Sequence, residues 1–360
     1  MMSFGLYGTA FYMIVGFLFF FAVAKTLLPA ARNLEIVRVV EVFVVFTTIA
    51  IVSFDISNRP FDIEGDTAVY INFYNDMRMG LDNPFQTFEP GFLAIVKLFC
   101  FLQLDYSSFF YFITFVFLWS YFALIKSVLG RGSSWSLFVF GMVLFYPFFF
   151  SLTANIIRQG FAMCFINLAL ISSVRSNWRQ GGVFTLVAAL FHKSSIVYFP
   201  FFVFRNLVLG VRVSSVVALW LVVSLASYFK LFSLLVVWIF DYLSGYGLVI
   251  NYSNVDNIAY VTGFRWDFWL FSSLSVFFLV AIKMLGEMNK REAYIFYVCA
   301  FLSCLHIAMF DVAYNDRFGI YAWIFYPIEL AYVMRAITAN ILRGSRRRVI
   351  EDRTNLYKGV

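Results

Sequence analysis

Apolar runs long enough to cross a bilayer recur along nearly the whole of this chain, and they leave it few ways to fold. A helix needs about 20 consecutive apolar residues to span the hydrocarbon. Such runs fall near 4–24, 36–54, 107–125, 135–152, 156–173, 213–240, 266–285, 293–311 and 317–338. Backbone N–H and C=O groups in lipid must be satisfied within the protein, so runs of this length are helical. Only 13% of the 360 residues are charged and 62% are hydrophobic, whereas a soluble domain carries about 25% charged residues. The expectation is an all-α polytopic membrane protein of about 11 spans. Three places interrupt the pattern. The stretch 177–209 breaks at His192 and reads as two short segments. The run 90–104 is short enough for a re-entrant or interfacial helix. The long run around Lys230 reads as two pieces. The first run lacks a basic flank and a small-residue cleavage motif, so it is read as a span and not as a signal peptide.

Basic residues orient the spans. Lys25, Arg32 and Arg38 mark one inner loop, Lys126 and Arg131 a second, Arg175 and Arg179 a third, Arg205 and Arg212 a fourth, and Lys283, Lys290 and Arg291 a fifth. The sequence thus divides into a membrane domain, 1–342, and a basic tail, 343–360, with the N-terminus outside and the tail in the cytoplasm against anionic headgroups. The net charge of +7 belongs to these loops and the tail, not to a nucleic-acid groove. Cys100, Cys164, Cys299 and Cys304 show no paired spacing and read as small buried hydrophobes. His306, on an apolar run, reads as a core residue.

The outside then receives the loops 55–91, 241–265 and 311–317. The first holds Asp55, Asp62, Glu64, Asp66, Asp76, Asp82 and Glu89 against Arg59 and Arg78. The second carries Tyr242, Tyr246, Tyr252 and Tyr260, which suit sugar faces as well as a membrane interface. Arg158, followed by Gln159 and one turn after Asn155, sits in an otherwise apolar run. An arginine at bilayer depth costs about 2.5–3.5 kcal/mol even on the lenient insertion scale, so it marks a protein-lined cavity; the alternative is a side chain snorkelling from a helix end. These positions predict that the acidic residues, Arg158, His192 and Arg317 converge just below the outer surface.

Five segments carry a family resemblance: Gly65-Asp66-Thr67-Ala68-Val69-Tyr70, Glu89-Pro90-Gly91-Phe92, Ile157-Arg158-Gln159-Gly160-Phe161-Ala162, Phe191-His192-Lys193-Ser194-Ser195 and Arg317-Phe318-Gly319-Ile320-Tyr321. In order and spacing, over roughly residues 60–325, the chain resembles the EpsG family of Wzy-type polymerases of O-antigen and exopolysaccharide repeat units. It departs from the family at Lys193, where a smaller or neutral residue is usual, and at the serine pair that replaces Ser-Ala. The resemblance implies a GT-C-like glycosyltransferase of the bacterial inner membrane. It would act at the outer face on undecaprenyl-diphosphate-linked glycans, without cofactor, with a chain-length regulator as a candidate partner.

The chemistry points the same way. When a sugar hydroxyl attacks an anomeric carbon, the lipid diphosphate leaves with growing negative charge, which fixed cations stabilise. Arginine grips phosphate oxygens bidentately and stays charged. Arg158, Arg317 and Lys193 are the candidate cations, with Asn155, Gln159, Tyr70 and Tyr321 beside them as substrate contacts. Arg317 has a second reading, an ion pair with Asp316 or Asp311. The acceptor hydroxyl needs a base, and His192, Asp66 and Glu89 are the candidates. His192 could instead cap a helix break, Glu89-Pro90-Gly91 also reads as a helix start, and Asp66 or Glu89 could orient a hydroxyl or hold Arg158. A lipid-linked oligosaccharide flippase is the alternative, but it usually shows internal repeats, and none is seen. A membrane acyltransferase would pair its histidine with a neighbouring acid, which Phe191-His192-Lys193 lacks. Asp62-Ile63-Glu64 and Glu64-Gly65-Asp66 resemble metal-holding acidic pairs, whereas the cations already present favour a reaction without metal. Purified protein in excess chelator is therefore expected to keep its activity. Loss with chelator, restored by magnesium or manganese, contradicts this.

Overall fold

The computed structural model describes residues 9–27, 34–59, 66–81, 88–130, 133–233, 262–286 and 290–341, with Leu235, Trp238 and Tyr242 between. Asp62, Glu64, Asp82, Tyr246, Tyr252, Tyr260, Arg32, Arg131 and the tail 343–360 lie outside the described residues, as does most of the loop 241–265. No strand occurs among the described residues. Five helices are long and apolar enough to cross a membrane, a bent helix pair makes a sixth candidate, and four shorter apolar helices accompany them. This is a polytopic helical membrane protein. The chain forms two units, Met1–Arg205 and Asn206–Val360.

In the first unit, α1 (Thr9–Leu27), α2 (Glu35–Ser57), α3 (Thr67–Met79), α4 (Pro90–Phe101) and α5 (Tyr106–Leu129) come first. α6 (Trp135–Leu144) and α7 (Pro147–Phe150) follow, then a π-helical turn, Ser151–Asn155, leading into α8 (Ile157–Val174). Sequence reading gave 135–152 one straight run. The chain instead bends by 64° between 144 and 147, because Pro147 has no N–H for the preceding turn and starts a new helix at its first position. α9 (Trp178–Ala189) ends just before His192, and a 3-10 turn, Lys193–Tyr198, begins just after it, as the interrupted apolar run predicted. α10 (Phe199–Val203) completes the short pieces of this unit, and α11 (Arg205–Gly210) has all but its first residue in the second.

Buried polar contacts fix the helix directions. Lys25 and Lys126, from the ends of α1 and α5, both hold the Glu41 carboxylate near the start of α2, at 2.6 and 2.8 Å. Lys25 is only 4% exposed; its apolar neighbours and Glu41 take it out of the solvated loop that sequence reading gave it. At the other end of α2, the Arg59 guanidinium lies 4.2 Å over Phe110 of α5, so α2 and α5 are antiparallel. Asn167 of α8 donates to Ser120 of α5 at 3.0 Å. At about 1.5 Å per residue, roughly 24 Å of helix separates Glu41 from Ser57. The three-charge cluster thus occupies one end of the unit, and Glu89, Arg158 and His192 gather at the other.

The second unit contains α12 (Val213–Tyr228), α13 (Trp266–Leu285), α14 (Lys290–Ala308) and α15 (Asp316–Trp323). α15 continues after a two-residue turn, so that Asp316–Ile341 forms one apolar span. The run 213–240 does break: α12 stops at Tyr228, and Lys230 takes a φ of 57°. His306 is fully buried, with Nδ1 2.7 Å from the Ser272 hydroxyl, the core role its apolar setting predicted. The Trp323 indole donates to the same hydroxyl at 3.0 Å. All four cysteines are free, and three are buried.

One close approach in the first unit is demanding. A Cβ on Gly160 would lie 1.9 Å from the Leu152 carbonyl oxygen, because the π turn folds back onto the first turn of α8. The clash is with backbone, which no rotamer relieves. Gly160→Ala is expected to destabilise the protein by at least about 1–3 kcal/mol, the scale of overpacking, read as a lowered melting temperature in detergent. An unchanged melting temperature contradicts the close approach.

Candidate active site

The centre of the site is a carboxylate. Glu89 stands just before α4 with φ −58° and ψ 142°, and Pro90 at the first position of α4 sets the helix off behind it. The Glu89 side chain is 7% exposed and is met from three directions. Arg158 on the first turn of α8 donates through Nη1 to Oε2 at 2.6 Å. The His192 ring places Nδ1 3.5 Å from Oε1. The backbone N–H of Lys193 donates to Oε1 at 3.3 Å. The sequence alternative in which Glu89 holds Arg158 is the geometry seen here, and the helix start at Pro90 is present as well.

Gly91 brings these segments together. Its N–H donates to the Leu190 carbonyl at 2.8 Å, and a Cβ there would lie 2.8 Å from the same oxygen. The start of α4 therefore presses directly on the end of α9. Glu89 precedes one side of that contact by two residues and His192 follows the other by two, so the glycine sets carboxylate and imidazole side by side.

Arg158 is fixed in orientation. Its Nε donates to the Tyr70 hydroxyl at 3.2 Å, and its guanidinium lies 4.3 Å over the Phe88 ring. Tyr70 comes from α3, and its ring packs on Phe88 and Phe92 with centroids 6.0 Å away in each case. Among the described residues, Nη2 of Arg158 has no hydrogen-bond partner, and the side chain is 20% exposed. Nε and Nη1 are thus anchored, and Nη2 is the group left to meet an anion.

The remaining candidates occupy distinct places. Asn155 accepts from the Asp66 backbone N–H through Oδ1 at 2.7 Å, tying the end of the π turn to the start of α3. Gln159 is buried at 1% exposure. The Lys193 side chain is exposed while its N–H faces Glu89. Arg317 and Tyr321 belong to the second unit, where the Arg317 guanidinium lies 4.8 Å from the Tyr314 ring centroid and Tyr321 is fully buried. Sequence reading missed Phe88 and treated Arg59 as one more loop charge. Arg59 is buried, and its three bonds are to Ile56, Thr67 and Ala154. Burial lowers its pKa to about 10, which leaves it charged at neutral pH. The one signal for it was a lone arginine set directly after an apolar span.

Electrostatics hold Glu89 ionised. Burial works against the charge, but the His192 imidazole and the charge of Arg158 beside it outweigh it and bring the pKa to about 2. The folded value lies below the ordinary glutamate value of 4.5, so this carboxylate stabilises the fold fully above that pH and progressively less as pH falls toward 2. The melting temperature of the wild type is expected to fall over this window by more than that of Glu89→Gln. Parallel curves for the two proteins contradict the ion pair.

No curated protein and no solved structure matches the chain significantly. The model of the EpsG family matches residues 42–350, which contain every site residue described above. The chain belongs to the EpsG family.

Proposed function

We propose that this protein is a membrane glycosyltransferase that polymerises undecaprenyl-diphosphate-linked oligosaccharide repeat units at the outer face of the bacterial inner membrane. Membership of a family of exopolysaccharide and O-antigen polymerase-like proteins supports the polysaccharide role. The observation that carries the reaction is Arg158, a partly exposed cation whose Nη1 and Nε are anchored by Glu89 and Tyr70.

The acceptor hydroxyl oxygen bonds to the anomeric carbon of the donor. The bond from that carbon to the diphosphate breaks, and the electron pair leaves with the lipid diphosphate. Arg158 faces the oxygens on which charge grows, where a preorganised donor stabilises the transition state most. The exposed Lys193 ammonium adds positive charge nearby. The hydroxyl proton goes to His192. An ionised Glu89 beside Nδ1 favours the tautomer with the proton on Nδ1, which leaves Nε2 free to act as the base. A carboxylate with a pKa of about 2 is itself a poor base at neutral pH. Glu89 therefore aligns the two groups that do the work, and Asp66, at the start of α3, is the second candidate base.

The deciding experiment incubates purified protein with a lipid-diphosphate repeat unit and looks for a ladder of products. A ladder is expected, and its absence with an active substrate contradicts the polymerase in favour of a flippase. In the same assay Arg158→Lys keeps the charge but loses the fork, and is expected to fall strongly while still inserting. His192→Ala is expected to lose about a hundredfold in turnover, the scale of general-base loss, together with the acidic limb of the pH profile. A lysine variant at the wild-type rate rejects the bidentate role. A histidine variant that keeps the acidic limb moves the base to Asp66.

A further inference from the structure

Arg158 and Asn155 flank a break in the chain. The π turn ends at Asn155, and Ile156 leaves helical geometry at φ −103° and ψ 53° before α8 begins. A π turn and a break free carbonyl groups from the helical ladder, and each needs a partner when buried. The Ala154 carbonyl is met twice, by the Arg59 Nη2 and by the Thr67 hydroxyl, each at 3.0 Å. Arg59 Nε donates in turn to the Thr67 hydroxyl at 3.3 Å, and Nη1 to the Ile56 carbonyl at 2.9 Å. Asn155 Oδ1 accepts from the Asp66 N–H one residue away.

These bonds make a clamp. It joins the end of α2, the start of α3 and the π turn, and its guanidinium rests on Phe110 of α5. α3 also carries Tyr70, which holds Arg158 Nε. The clamp thus fixes both the backbone that leads into Arg158 and the helix that supplies its hydroxyl partner. A buried guanidinium would not be spent on one carbonyl at a helix break if a neutral side chain sufficed, since burying its charge is costly. Its planar fork is what reaches three groups at once.

We infer that Arg59 is a positioning residue for the transfer reaction, setting the direction of Arg158 through the Ala154 carbonyl and α3 without touching substrate. The inference rests on the proposed reaction, in which Arg158 meets the diphosphate. It does not require any particular sugar.

The test is a double-mutant cycle on purified full-length protein, with Arg59→Lys and Thr67→Val each introduced alone and combined with Arg158→Lys. Arg59→Lys is expected to lower kcat by up to about a hundredfold, the cost of a catalytic group displaced by an ångström, with a smaller change in KM. In the Arg158→Lys background the same substitution is expected to cost little, because the geometry it protects is already lost. Equal losses in both backgrounds overturn the inference and leave Arg59 a general structural residue. Thr67→Val removes one arm of the clamp and covers the case in which Arg59→Lys does not fold. Hydrogen exchange across 151–160 gives a readout independent of turnover: faster exchange in either clamp variant, at an unchanged melting temperature, is expected. Unchanged exchange rejects the clamp, even if the wild type makes no ladder and the polymerase reading itself has failed.

Discussion

One carboxylate organises this protein's candidate chemistry. Glu89 sits directly before α4, yet it receives Arg158 from 69 residues away and the Lys193 N–H from 104 residues away. Ion pairs buried this far repay their desolvation only when several donors share the charge. Glu89 meets that condition with a guanidinium, an imidazole and a backbone amide. Removing it would leave Arg158 as an uncompensated charge and take the carboxylate away from His192 Nδ1. The pair is better understood as a device for geometry than as a source of stability.

The surrounding fold can be read as what this carboxylate requires. Gly91 lets α4 and α9 touch through backbone, so that Glu89 and His192 share a corner. Gly160 lets the π turn fold onto α8, so that Arg158 stands on the first helical turn and not deep in the span. Arg59 and Thr67 absorb the carbonyl that the turn releases. At the far end of α2 the same strategy recurs, with two lysines on one glutamate. In both places charge is buried where opposite charge, or in the case of Arg59 several hydrogen-bond acceptors, meets it, as a membrane interior demands.

Local features of the sequence carried the fold well and the site in part. Hydropathy marked α13 at 266–285 to the residue and foresaw the breaks at His192 and Lys230, since apolar length and interruption are properties of adjacent residues. It did not foresee the bend at Pro147 or the π turn, which depend on how the chain packs back on itself. Polar residues in apolar settings singled out Arg158 and His192, and the short motifs added Glu89 and Tyr70. What stayed hidden was pairing. Arg59 and Lys25 look like solvated loop charges until the contacts with Ala154 and Glu41 are seen. Pairing across 95 residues leaves no periodic trace in one chain. Arg317 and Tyr321 stand on α15 in the second unit, each with local packing of its own.

The central claim is that Glu89 presents Arg158 to a lipid diphosphate while aligning His192 for the acceptor. The most direct measurement is an experimental structure of the protein in a lipid nanodisc with a polyprenyl-diphosphate sugar bound. The account predicts diphosphate oxygens within hydrogen-bond distance of the Arg158 guanidinium, the Glu89 contact intact, and His192 Nε2 turned toward the anomeric carbon. A diphosphate bound elsewhere, with Arg158 still closed on Glu89 and out of reach, would contradict it.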